Sequence, residues 1–94
     1  MKRERRTFPL GQMTATPDAL REFALSEESM LPYIFRHACG CWGDVDSEDA
    51  AANDEARENG ERILSAYNLR SGTRIWIVTE ADRSSTCILL PEEY

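Results

Sequence analysis

The sequence predicts a small α+β domain, with a short N-terminal strand and three helices packed on a C-terminal three-stranded antiparallel β-meander. Two observations carry this. Apolar residues recur at helical spacing through the first two thirds, whereas the last third alternates β-branched and aromatic runs with turn residues. At 94 residues the chain has room for one domain, residues 1–94, and one modest core.

Residues 1–6 carry Lys2, Arg3, Arg5 and Arg6 against Glu4 and are expected to form a disordered basic arm. Residues 7–13 read as a short strand that Pro9 confines to an edge or a strand end. Thr16 is a natural N-cap with Pro17 in the first turn, and Ala19, Leu20, Phe23 and Ala24 continue a helix to about Leu25. Ser26 or Ser29 is expected to cap a second helix. Its buried stripe is Met30, Leu31, Ile34, Phe35 and Ala38, and Pro32 is tolerated in the first turn.

Gly40 and Gly43 break that helix. Ser47 is the expected N-cap of a third, over residues 48–59, which Gly60 ends. The apolar side chains of this third helix are almost all alanine, so most of it is expected to face water. Strands follow at residues 62–67, 74–80 and 86–90. Ile75, Trp76, Ile77 and Val78 are apolar on both alternating faces, which predicts a central strand with Trp76 in the core.

With 41% hydrophobic and 30% charged residues the composition is that of a globular chain. No apolar run approaches the roughly 18 residues of a bilayer span. The basic start lacks the apolar segment of a signal peptide, so a cytoplasmic location is expected. Cys39, Cys41 and Cys87 are odd in number and are expected to be reduced and metal-free, with no cofactor.

Charge is unevenly spread. The total is −6, and residues 44–61 hold Asp44, Asp46, Glu48, Asp49, Asp54, Glu55, Glu58 and Glu61 against Arg57 alone. An acidic total argues against general contact with nucleic acid or anionic membranes. Three chemistries are conceivable. His37 with the three cysteines offers zinc a donor set, at the wrong spacing for a zinc knuckle. A cysteine nucleophile beside His37 lacks a visible orienting group. A metal-dependent nuclease around Asp44, Asp46, Glu48 and Asp49 competes with the plainer account of an acidic helix start favoured by the helix dipole. Trp42 and Trp76 both read as core anchors, and Trp42, in a loop between glycines, has the better claim of the two to be a partly exposed contact residue.

Several segments together resemble a known group. These are Arg36-His37, Gly40-Cys41-Trp42-Gly43-Asp44, Glu48-Asp49, Asn53, Leu64-Ser65-Ala66-Tyr67, Trp76-Ile77-Val78-Thr79-Glu80-Ala81-Asp82-Arg83-Ser84 and Leu89-Leu90-Pro91-Glu92-Glu93-Tyr94. They are similar to small bacterial proteins scattered over plasmids, prophages and other mobile elements, across about residues 7–94. The resemblance implies an accessory role on such elements and identifies no reaction. Cys41 stands where the resemblance leads one to expect an acidic residue, which weakens the zinc and acidic-site readings alike.

The leading expectation is a non-enzymatic inhibitor or adaptor that binds a basic, nucleic-acid-handling protein or complex, such as a CRISPR or restriction nuclease. An acidic, DNA-mimicking surface of Trp42, Asp44, Asp46, Glu48, Asp49, Glu55 and Glu58 would make the contact. The alternative is a small regulatory or toxin-like protein that touches nucleic acid through the basic arm and Arg70, Arg74 and Arg83.

Overall fold

The structure, a computed structural model, describes residues 7–94, and the basic arm of residues 1–6 lies outside the described residues. In chain order the elements are β1 (Gln12–Ala15), α1 (Pro17–Ser26), α2 (Leu31–Ala38), α3 (Ser47–Asn59), β2 (Ile63–Asn68), β3 (Arg74–Thr79) and β4 (Ser85–Leu89). A 3-10 turn over Pro91–Glu93 closes the chain.

The sheet corrects the expected architecture. It is four-stranded and mixed, in the order β1-β4-β3-β2, not a three-stranded antiparallel meander. β1 lies parallel to β4, with Met13 opposite Thr86 and Ala15 opposite Ile88. It also begins later than expected. Gly11 has φ +67° and sits so close to the β3–β4 turn that a Cβ there would fall 2.3 Å from the Ser84 oxygen. The strand can form only beyond that contact. Parallel pairing between segments so far apart in sequence has no connecting turn to announce it, so neither its partner nor its register is legible locally.

Helix ends follow local chemistry. Thr16 Oγ1 accepts from the Ala19 N–H at 3.1 Å and Pro17 fills the first turn of α1. The cap of α3 is Asp46 rather than Ser47, its carboxylate accepting from Asp49 N–H at 2.8 Å. Met30 precedes α2 without a side-chain cap, and Ser29 Oγ accepts from Leu31 N–H at 3.1 Å.

One face of the sheet carries the helices. Ala19 and Phe23 of α1 pack with Tyr67, Leu69, Ile75, Ile77, Ile88 and Leu90, while Ala56 of α3 packs with Phe8, Trp42 and Ile63. The stripe expected on α2 is rotated. Its inward residues are Tyr33, Ile34, His37 and Ala38, whereas Leu31 is 72% and Phe35 63% exposed. With apolar side chains on both sides of a two-turn helix, periodicity alone cannot choose the inner face. His37 chooses it here, for reasons given below.

Trp76 also departs from expectation. It lies on the opposite face of the sheet from Ile75 and Ile77 and is half-buried, its ring edge-on to Tyr94 at 5.5 Å. The alternation of a strand forces this, since adjacent residues point to opposite faces.

The free edge of β2 is closed by its own chain. Asn53, buried in α3, donates its amide to Leu64 O at 2.8 Å and accepts from Leu64 N–H at 3.2 Å. Two residues on, Ala66 N–H bonds to Trp42 O and Ala66 O accepts from Asp44 N–H, around a parallel bridge to Gly43. Gly43, at φ +81°, is required there because a Cβ would lie 2.0 Å from Ala66 O. Replacing Asn53 with Ala strands a main-chain donor and acceptor at a closed edge. The expected loss is roughly 2–4 kcal/mol of unfolding free energy, read as a lower urea midpoint at unchanged slope.

Candidate functional site

The most ordered polar assembly is buried. His37, Ser65, Thr79 and Thr86 are each 0% exposed. The imidazole Nδ1 lies 2.5 Å from Ser65 Oγ and Nε2 lies 2.8 Å from Thr79 Oγ1. Thr79 Oγ1 meets Thr86 Oγ1 at 2.7 Å, and Thr86 Oγ1 donates to Leu10 O at 2.7 Å.

Proton counting orders the whole chain, because each hydroxyl donates once. Thr86 spends its proton on Leu10 O, so Thr79 donates to Thr86. Thr79 must then accept from His37, which places the ring proton on Nε2. Nδ1 is left as the acceptor of the Ser65 hydroxyl. A serine bonded to an imidazole is the pairing a nucleophile makes with its base. Here the ring's second nitrogen faces a threonine rather than a carboxylate, and burial leaves no surface for a substrate to meet.

The same two bonds occupy both nitrogens that a zinc or cysteine-activating role would need. Cys41 is exposed and Cys39 and Cys87 are half-buried. Among the described residues no group of His, Cys, Asp and Glu side chains is placed to hold a metal ion.

The residues expected on a partner-binding surface divide into three sets. Trp42 is 5% exposed rather than a surface contact. Its ring packs against Phe8 and His37, and its indole N–H donates to Asp54 Oδ1 at 3.0 Å. A loop residue was drawn inside because Phe8, Ile63 and Ala56 leave an apolar socket that two glycine-flanked turns allow it to reach.

The second set is committed to the fold. Asp44 binds Arg74 Nη1 at 2.8 Å and Asn68, and Arg74 first, then Asn68, hold its carboxyl below the ordinary range. Asp46 caps α3. The third set is uncommitted. Glu48, Asp49, Glu55 and Glu58 are exposed, and among the described residues none of their carboxylates has a hydrogen-bond or ion-pair partner. Asn53 and Ala56 fix the inner face of α3, and at 3.6 residues per turn Glu48, Glu55 and Glu58 lie on the opposite side.

The arginines considered for nucleic acid are engaged within the molecule. Arg74 is paired with Asp44. Arg70 donates to Glu27 O at 3.1 Å, and its backbone N–H to Glu28 at 2.7 Å. Glu28 also accepts from Ser26 and Tyr33, and these bonds, Ser26 first, bring its carboxyl down to about 2. Arg83 donates to Glu61 O at 2.7 Å, Glu80 O at 3.1 Å and Ala56 O at 2.9 Å, tying the end of α3 to the β3–β4 turn.

One feature escaped the sequence. Leu10, Leu31, Pro32, Ile34, Phe35 and Ala38 line an open apolar cleft of about 510 Å³. Ile34 also lines a smaller one of about 140 Å³ with Met13, Thr14, Ala15, Met30 and Ile88. The two form a groove between α2 and β1 with no charged residue in its lining. The signal is present as a surplus of apolar residues over 30–38, of which the sequence reading places Met30, Leu31, Ile34, Phe35 and Ala38 in one buried stripe.

No protein-family model matches the chain, and no curated protein and no solved structure matches it. No helix among the described residues is long and apolar enough to cross a membrane.

The chain's one histidine gives it an acid signature. Burial first, and the nearby Arg83 charge second, push the His37 pKa down to about 4 from an ordinary 6.5. The unfolded chain therefore takes up a proton on falling through pH 6.5, and the folded chain only near pH 4. Stability is full above about 6.5 and falls as pH drops toward 4, by on the order of 3 kcal/mol. The lowered carboxyls of Glu28, Asp44 and Asp82 act in the same direction but below about pH 4.5. Urea midpoints should thus decline between pH 6.5 and 4.5. A flat profile there would mean that the imidazole is hydrated.

Proposed function

We propose that this protein acts by binding another protein, as a non-enzymatic inhibitor or adaptor, and that the outer face of α3 makes the contact with a basic partner. The observation that carries this reading is the uncommitted state of Glu48, Glu55 and Glu58. Neighbouring carboxylates at Asp44, Asp46 and Asp54 each accept an internal hydrogen bond, while these three face solvent with no hydrogen-bond or ion-pair partner among the described residues. A row of carboxylates on a rigid helix suits a lysine- and arginine-lined groove that ordinarily holds a phosphate backbone.

The burial of the Ser65–His37 pair speaks against catalysis at the one place where a nucleophile and base are adjacent. The engagement of Arg70, Arg74 and Arg83 with internal carboxylates and carbonyls speaks against direct nucleic-acid contact by those residues. A cytoplasmic, mobile-element setting, with a host defence nuclease as the target, remains part of the proposal through the resemblance described above.

The test is a triple variant, Glu48→Gln, Glu55→Gln and Glu58→Gln. All three sites are exposed, so the melting temperature should hold, with each change worth less than about 0.5 kcal/mol. Association with a partner captured from host lysate should slow by on the order of tenfold at low salt, and the wild-type rate should fall steeply as salt rises. Equal rates and equally flat salt responses in the two proteins would dismiss the acidic face as a binding surface. Binding of wild type to bare duplex DNA would favour the nucleic-acid reading instead.

A further inference from the structure

The two edges of the sheet are treated in opposite ways. At β2 the outward main-chain groups of Leu64 and Ala66 are bonded to Asn53 and to the Trp42–Asp44 segment. At β1 they are not. Gln12 N–H bonds to Ser84 O and Thr16 N–H to Ile88 O. By the two-residue alternation of a strand, Met13 and Ala15 therefore direct their N–H and C=O groups away from β4. Among the described residues nothing pairs with them. An open edge with no charge and no bulge is a template for another strand.

Directly beside that edge runs the uncharged groove, with Leu31 72%, Phe35 63% and Met13 38% exposed. We propose that β1 and this groove form a two-fold interface with a second copy of the same chain. Antiparallel pairing about an axis at Thr14 sets Met13 against the partner's Ala15, and Ala15 against the partner's Met13. All the outward groups of β1 are thereby used. Such an axis stands perpendicular to the sheet, so both helix layers lie on the same side and the two apolar grooves face each other.

Self-complementarity selects a second copy as the occupant. The outward groups of Met13 and Ala15 pair fully with those of another β1, and the charge distribution permits it. The acidic helix α3 packs on β2, at the far edge of a sheet whose order is β1-β4-β3-β2. Three strand spacings place it about 14 Å from β1, beyond a Debye length of about 8 Å at physiological salt. Pairing through β1 leaves the two acidic helices at the outer ends of the joined sheet, where their repulsion is screened. The edge that meets is the uncharged one. The dimer would also present two acidic faces to a partner, a step beyond the function proposed above and independent of it.

A four-residue strand with its flanking groove belongs at the small end of specific interfaces, roughly 1,200 Å² in total. The dimer is expected to dissociate in the micromolar range. Sedimentation equilibrium from about 1 µM to about 1 mM should show a monomer–dimer equilibrium. Leu31→Glu and Phe35→Glu, at exposed sites, should each shift the protein to monomer with unchanged circular dichroism. Amide exchange at Met13 and Ala15 should slow as concentration rises, which apolar contact alone would not produce. A wild type that stays monomeric to about 1 mM overturns the proposal. So does a dimer that survives both substitutions, or one in which the Met13 and Ala15 amides exchange at the same rate at all concentrations.

Discussion

His37 reaches the interior with two polar nitrogens, and an imidazole there is tolerable only if both are bonded. Ser65 on β2 and Thr79 on β3 supply the partners, Thr79 leans on Thr86 of β4, and Thr86 on the carbonyl of Leu10. This one constraint sets the rotation of α2 and joins it to three strands and to the segment that leads into β1. It also lies between two apolar clusters, one around Phe23, Tyr67 and Ile88 and the other around Phe8, Trp42 and Ile63. Apolar contacts are non-directional and would accept several rotations of a short helix. A chain of single-proton donors accepts one, because reversing any link leaves a buried group unpaired.

The exposed stripe on α2 follows from that choice. Once His37 and Ala38 face inward, the helix turns Leu31 and Phe35 out. They are the residue of a conflict between the apolar count of the helix and the geometry of its polar anchor. A natural sequence that leaves a Phe 63% exposed beside a strand edge open among the described residues has either a use for that surface or a cost in solubility.

The helices and the three C-terminal strands were legible because their signals are local: Thr16-Pro17, Gly60, the turn at Ser71-Gly72, and β-branched runs between turns. The mixed sheet was not. β1 is four residues long, starts after a glycine whose conformation is dictated by a turn some seventy residues away, and pairs in parallel. Those facts belong to tertiary structure. Both tryptophans read as core anchors, yet only Trp42 is buried and Trp76 is half-buried, for a related reason. Burial of a tryptophan depends on which socket the fold leaves open, and a loop indole found one where a strand indole did not. Of the acidic residues, composition located the cluster, but only coordinates separate Asp44, Asp46 and Asp54, whose carboxylates bond within the fold, from Glu48, Asp49, Glu55 and Glu58, whose carboxylates do not among the described residues.

That separation has an energetic edge. Glu48 and Asp49 lie in the first turn of α3, where carboxylates complement the positive end of the helix dipole, so their presence has a structural reason. Glu55 and Glu58 lie toward the other end, where the dipole disfavours them. Asp54 and Glu58, four apart, repel further, each effect amounting to a few tenths of a kcal/mol. Ala51 and Ala52 contribute helix propensity but no compensating charge. The helix is held instead by the Asp46 cap, by Gly60 at φ +74°, by Arg83 on the Ala56 carbonyl and by Asn53 on β2. All of these act at its ends or on its inner face. Beyond its first turn the outer face, at Glu55 and Glu58, thus makes no stabilising side-chain bond among the described residues, and its charge pattern there is one that helix stability alone would not select.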